Sequence, residues 1–232
     1  MDFNEMLTDS SQYTKNALWG SWIKWAILAL YTPINLGYYM CILRGERPAP
    51  QRIVDVEQTF MNGLKLFIVL LIYSVPVLII AAIFLGGSYA LLSSVILTGN
   101  SSAAIAIIGT MMIGSLITFL LSILVGLIAA VAAVRFSRTE DYSEAFNFGA
   151  VLNHIAKIGW GTYTVSLILP LLIIGIICLG LLFVPIIGWC LLLILIPVFG
   201  VFLSRYITLI YDSASPEGPG PSPASAPAGG PV

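Results

Sequence analysis

The stretch RGERPAPQRIVDVEQTFMNGLK, Arg44 to Lys65, separates two long apolar runs and holds four of the chain's ten basic residues. That concentration decides the fold. Only 9% of the chain is charged and 59% is hydrophobic, with a mean hydropathy of +0.99. Soluble domains are about 25% charged and about 45–50% apolar. A helix crossing a hydrocarbon core of roughly 30 Å needs about 20 apolar residues. Several runs reach that length, so lipid is the solvent for most of this chain. A charged stretch between two such runs is a loop at the membrane surface.

Working outward, the expected architecture is all-α: a polytopic transmembrane bundle of about five spans. These are placed at 22–43, 65–85, 112–134, 160–183 and 187–210, inside a helical domain covering 19–212. Residues 1–18 form an N-terminal segment. Its first ten residues carry Asp2, Glu5 and Asp9 and no base, unlike a cleavable signal. In the first span, Pro33 is expected to kink the helix. Trp19, Trp22 and Trp25 at one end and Tyr38 and Tyr39 at the other read as interfacial belts. The runs Leu66–Leu97 and Ala103–Val134 are each longer than a bilayer crossing. Residues 86–111 read as helical shoulders around a turn at Gly99-Asn100, or as short extra spans. A short turn near Pro185 predicts an antiparallel hairpin. The Pro/Gly-rich segment 213–232 reads as a disordered tail.

Orientation follows Lys and Arg in short loops. Arg44, Arg47, Arg52 and Lys65 follow the first span; Arg135, Arg138 and Lys157 follow the third. Five spans then put the N-terminus outside a plasma membrane and the tail inside, with Arg205 snorkelling at the inner end of span five. Lys15 and Lys24 oppose that orientation.

The two basic loops match each other. Arg52, Asp55, Phe60, Gly63 and Leu66 recur as Arg138, Asp141, Phe146, Gly149 and Leu152, all at one offset. The match reads as an internal parallel repeat or as coincidence of composition. Apolar residues at helical spacing in each loop predict two interfacial amphipathic helices. Ser122, Gly126 and Ala130 form a small-residue stripe that predicts close helix packing by the third span.

No chemistry is spelled out. There is no HExxH or His–Cys cluster, so no metal, cofactor or catalytic residue is assigned. Cys41, Cys178 and Cys190 read as small apolar packing residues, and the lone His154 as solvated surface. Asn35 is the buried polar candidate, either satisfying a carbonyl freed by Pro33 or touching a substrate. A net charge of −1 without a basic tract excludes nucleic acid as a partner. The expected partners are the lipid bilayer and a membrane protein or a second copy. Three functions remain: a non-enzymatic scaffold, a permease or channel subunit for an uncharged or lipidic solute, and a lipid-active enzyme using Asp55 and Asp141 beside Arg52 and Arg138.

Certain local motifs resemble a known family. Gly37-Tyr38 precedes Arg44-Gly45-Glu46 and Pro48; Gly63-Leu64-Lys65 follows, then Tyr73 and Pro76. Glu144-Ala145-Phe146 leads to Gly159-Trp160-Gly161 and Tyr163. Over about residues 15–212 the chain resembles an uncharacterised, mainly archaeal membrane family catalogued as domain of unknown function 4013. The resemblance implies a multi-pass fold and carries over no catalytic residue.

Overall fold

The computed structural model describes residues 3–46, 55–98 and 101–214, and the side chains of all of these except 98 and 101–104. Arg47 and Arg52, and the segment read as a tail from 215 onward, lie outside them. Among the described residues the chain is helical throughout: α1 (Phe3–Leu18), α2 (Trp22–Leu30), α3 (Thr32–Leu43), α4 (Val56–Thr98), α5 (Ser101–Thr139), α6 (Tyr142–Ala145), α7 (Phe148–Ile158), α8 (Trp160–Leu182) and α9 (Ile187–Asp212).

Helices α4, α5, α8 and α9 are long and apolar enough to cross a membrane. The expected first span is not one helix. It breaks at Tyr31 into α2 and α3, bent by 114° from a straight course. Pro33 stands in the first turn of α3, where its missing N–H is not needed, so the ladder ends before it instead of bending through it.

The shoulders are helical, as continuations of α4 and α5 with no separate short spans. The first loop forms no separate interfacial helix either. Asp55 accepts from the Gln58 backbone N–H (3.1 Å) and starts α4, which runs unbroken to Thr98. The second loop does break: Asp141 caps α6, Asn147 caps α7, and Gly159 at φ 96° turns the chain into α8. Val151 and Ile155 of α7, one turn apart, are its buried face.

The residues divide into two compact units. One comprises the described parts of Met1–Phe67 and Ala130–Val232; the other is Ile68–Ala129. In the first, α9 is the central element, packed against α1, α2, α3, α7 and α8. Tyr13, Ala17, Leu18, Leu28, Ile34, Tyr38, Ile42 and Val201 form its core where α1, α2, α3 and α9 meet. The α8–α9 hairpin turns at Pro185 as expected, and Gly188 sits so close to the Leu181 carbonyl that a Cβ would collide with it. Helices α3 and α4 also touch through glycine: a Cβ on Gly37 would strike the Thr59 carbonyl, and one on Gly63 the Pro33 carbonyl.

In the second unit the helices are largely exposed. Phe84 fills the space beside Gly114, and a groove of about 620 Å³ is lined by Phe84, Ser88, Met111, Gly114, Ser115 and Phe119, among others. The small-residue stripe is not a packing face here. Ser122 and Gly126 are exposed, with open space where a Gly126 Cβ would stand, and Ala130 is half-buried. Packing by α5 falls instead on Val131, Ala132, Val134 and Phe136, on its own C-terminal turns.

Candidate functional site

The polar side chains of the first unit gather at the ends of α3, α5 and α9. Arg205, on α9, is 1% exposed. Its Nε donates to Asp9 Oδ2 on α1 (2.8 Å), and its guanidinium lies 5.0 Å from the Tyr13 ring centre. Tyr13 Oη in turn donates to the Glu46 carbonyl (3.1 Å). Arg205 is therefore not a snorkelling residue. An ion pair joins Phe3–Leu18 to the Arg205 end of α9.

Three further pairs extend the cluster. Arg44 binds Glu140 (2.7 Å) and the Ser137 carbonyl (2.9 Å), tying the end of α3 to the end of α5. Arg138 binds Asp212 (2.6 Å) and lies over the Tyr211 ring. Arg135 pairs with Glu144 of α6. Arg138 and Asp141, neighbours in the second basic loop, take different partners: Asp212 binds the guanidinium and Asp141 accepts from the Ser143 backbone N–H. Hydrogen bonding by the Ser143 side chain, and then by its backbone N–H, holds the Asp141 carboxyl below its usual pKa.

His154 is half-buried rather than solvated. Its Nε2 lies 3.0 Å from the Tyr211 carbonyl and its ring stacks on Tyr211 (3.8 Å between centres). A carbonyl only accepts, so Nε2 carries the proton. Burial lowers the His154 pKa, the Tyr211 carbonyl raises it, and the nearby Arg135, Lys157 and Arg138 lower it further.

The repeat-related residues do not occupy equivalent places. Asp55 and Asp141 each start a helix, but one helix has 43 residues and the other 4. Phe60 is exposed on α4, whereas Phe146 is half-buried at the end of α6. Gly63 abuts Pro33, while Gly149 is exposed, and a Cβ there would meet only Asn147 Oδ1 at 3.7 Å, ordinary van der Waals contact. Arg52 lies outside the described residues. A start signal shared by two helices explains the Asp match without common ancestry of the loops.

Sequence reasoning missed how α2 and α3 meet α9. Trp25 Nε1 donates to the Ile194 carbonyl (2.7 Å), and Tyr39 Oη to the Ile196 carbonyl (3.3 Å). Both acceptors lie in the turn just before Pro197 of α9. Tyr38 is 2% exposed. These aromatics pack inside the unit; Trp19 and Trp22 are 73% and 72% exposed, with Trp22 stacked on Trp25. Lys24 is buried, donates to the Ala17 carbonyl at the end of α1 and lies 5.3 Å from the Tyr38 ring centre. Asn35 is buried with no hydrogen bond to its Oδ1. The three cysteines are free thiols, and no group of three His, Cys, Asp or Glu fit for a metal occurs among the described residues.

The family described as "Protein of unknown function (DUF4013)" matches residues 23–187. No curated protein and no solved structure matches the chain.

Proposed function

The chain belongs to the DUF4013 family of proteins of unknown function, and from that premise we propose a non-enzymatic scaffold of the plasma membrane that presents its helices to a membrane partner or a second copy. The observation that supports this reading is the use made of charge. Arg44, Arg135, Arg138 and Arg205 each bind a carboxylate, and together they tie α1, α3, α5, α6 and α9 to one another. Charge in this unit serves cohesion, as expected of a bundle whose work is done by its surface. Affinity purification from native membranes tests it. A stoichiometric protein partner or self-association is the expected result. A monomer without partners that turns over lipid overturns the reading.

Topology is part of the proposal. Helices α4, α5, α8 and α9 cross, and the bent pair α2–α3 enters from the basic side and returns to it. Trp25 reaches α9 at Ile194, about 16 Å along the axis from Arg205 at 1.5 Å per residue, a depth of about half a bilayer core. An even number of crossings puts α1, both basic loops and the end of α9 on one face. The Asp9–Arg205, Arg44–Glu140 and Arg138–Asp212 pairs support that count, and the basic residues there make the face cytoplasmic.

The same bent pair favours a second reading, a permease or channel subunit for an uncharged or lipidic solute. Discontinuous helices near mid-membrane are where such proteins build binding sites, and Asn35 lies in the first turn of α3 with an unbonded oxygen. Solute flux in proteoliposomes that is lost in Asn35→Ala would support it over the scaffold.

A further inference from the structure

We propose that the break between α2 and α3 binds the neutral hydroxyl group of an alcohol, with Asn35 Oδ1 accepting the hydroxyl proton. The proposal rests on the second reading above, in which the bent pair holds a solute, and adds what that solute carries.

The break leaves backbone groups open. Tyr31, at φ −113° and ψ 92°, is extended between the two helices, and no side chain caps α3. In an unbroken helix the N–H groups of residues 32, 33 and 34 would bond to the carbonyls of Leu28, Ala29 and Leu30. Pro33 has no N–H, and neither of the other two bonds is made; Tyr31 bonds to Ile27 and Asn35 to Tyr31 on either side of the gap. The Thr32 and Ile34 N–H groups and the three carbonyls are thus without backbone partners among the described residues. Helix α3 follows α9, reaching it through Tyr39 at Ile196 and through the Ile42 carbonyl at Thr208. Its 12 residues carry the break about 18 Å from Arg44 at 1.5 Å per residue. Arg44 is held to Glu140 at the basic end, so the break stands inside a core of roughly 30 Å. Open backbone at that depth is tolerated where it is covered or lines a polar cavity. Leu30 and Tyr31 are 74% and 60% exposed, so the described residues do not cover it.

Asn35 is the independent sign of a ligand. It is 5% exposed, and its Oδ1 has no hydrogen-bond partner. Tyr39, one turn on, gives its hydroxyl proton to the Ile196 carbonyl, so towards Asn35 its oxygen only accepts. The Asn35 amide bonds to that oxygen, and Nδ2 is the atom that donates. Oδ1 is therefore turned away from Tyr39, back towards the break, as an acceptor in want of a donor. Oδ1 is closed from the outer surface, so the donor arrives by way of the break.

Charge selects against ions. Residues 25–43 and 187–204 hold no charged side chain, and Lys24 is committed to the Ala17 carbonyl. The C-terminal carbonyls of α2 and the N-terminal N–H groups of α3 meet at the break, where their opposite partial charges offset each other. The group that fits is neutral and both donates and accepts. A hydroxyl does this with one oxygen, donating to Asn35 Oδ1 and accepting from the Thr32 or Ile34 N–H. A water-borne polyol and a membrane alcohol share that chemistry.

Photolabelling of the full chain in lipid vesicles tests it. The probe is a long-chain primary alcohol with a diazirine near its hydroxyl; its methyl ether, which accepts but does not donate, is the control. The alcohol is expected to label α2, α3 or residues 194–197 of α9. The ether should label them about tenfold less, the factor carried by one hydrogen bond of ordinary strength. Asn35→Leu should bring the alcohol down to the level of the ether. Excess glycerol removes the alcohol's label where the natural carrier is a water-borne polyol and leaves it where the carrier is a membrane alcohol. Equal labelling of the wild type by alcohol and ether overturns the proposal without any variant. A contrast that persists in Asn35→Leu overturns it as well. Flux of the same alcohols into proteoliposomes is read separately. Hydroxyl-dependent labelling without flux removes the permease reading and leaves the site, whereas flux with equal labelling removes the site and leaves the permease.

Discussion

Asp9 and Arg205 stand 196 positions apart in the chain and meet at 2.8 Å. Arg205 is almost fully buried, while the Asp9 side chain is 32% exposed. Removing one partner of a fully buried pair costs about 3–5 kcal/mol, because the other charge is left uncompensated. Partial exposure of Asp9 reduces this, so Asp9→Ala should destabilise the bundle by about 1–3 kcal/mol. Replacing both, as Asp9→Ala with Arg205→Met, should recover much of the loss. Unfolding in detergent reads both. An unchanged Asp9→Ala protein would mean that α1 is not held on α9.

Gly37 and Gly63 predict a contrast with Gly126. Alanine at either of the first two places a Cβ against a backbone carbonyl of the facing helix, which a side-chain shift cannot relieve. Overpacking of this kind typically costs about 1–3 kcal/mol. At Gly126 the space is open, so even leucine should be tolerated there unless a partner covers that face. Thermal unfolding of Gly37→Ala, Gly63→Ala and Gly126→Leu in detergent should therefore separate the first two from the third. Equal losses at all three would assign Gly126 to an interface.

How far the fold was legible depends on what each signal measures. Apolar length finds α4, α5, α8 and α9, because crossing a bilayer is a matter of length. Over 22–43 it finds enough apolar length but not the 114° bend between α2 and α3, where Trp25 and Tyr39 bond to carbonyls of α9 beside Pro197; those partners are distant in sequence. Charge counting located the basic loops, yet an exposed loop arginine and a buried one look alike, and Arg205 was misplaced for that reason. The small-residue stripe failed in the opposite sense. Ser122 and Gly126 would permit close approach, but nothing in a sequence says which neighbour accepts the invitation. Asp55 and Asp141 were matched because helix starts share a chemistry, not because their helices share a length.

His154 predicts a pH dependence. Its pKa in the folded protein lies below the ordinary 6.5, mainly because burial disfavours the imidazolium. The unfolded chain then binds the proton more readily. The contribution of His154 to stability is complete above pH 6.5 and is lost as pH falls through the folded-state pKa. Arg135, Lys157 and Arg138 steepen the effect by repelling the imidazolium. Melting temperature recorded from pH 8 to pH 5 should fall below about 6.5, and His154→Gln should flatten that limb. A slope unchanged in His154→Gln would move the effect to the carboxylates of the ion pairs.

The last prediction is that Ser11 and Thr139 are reached from the same side of the membrane. Both are exposed, one on α1 and the other at the end of α5. Five crossings would put Ser11 on the far side, whereas four crossings and a returning α2–α3 pair put it with Thr139. Ion pairing argues for four. Arg205 lies less than two turns from the end of α9, about 10 Å from Asp212 at 1.5 Å per residue, and Asp212 holds Arg138 beside Thr139. Asp9, bound to Arg205, cannot then be a bilayer thickness away from Thr139, because the core alone is roughly 30 Å. Single cysteines at Ser11 and Thr139, in the chain without Cys41, Cys178 and Cys190, should both resist an impermeant maleimide in intact cells and both react in inverted vesicles. Ser11 reacting in intact cells while Thr139 does not would restore the five-crossing topology and would require α1 to leave Arg205.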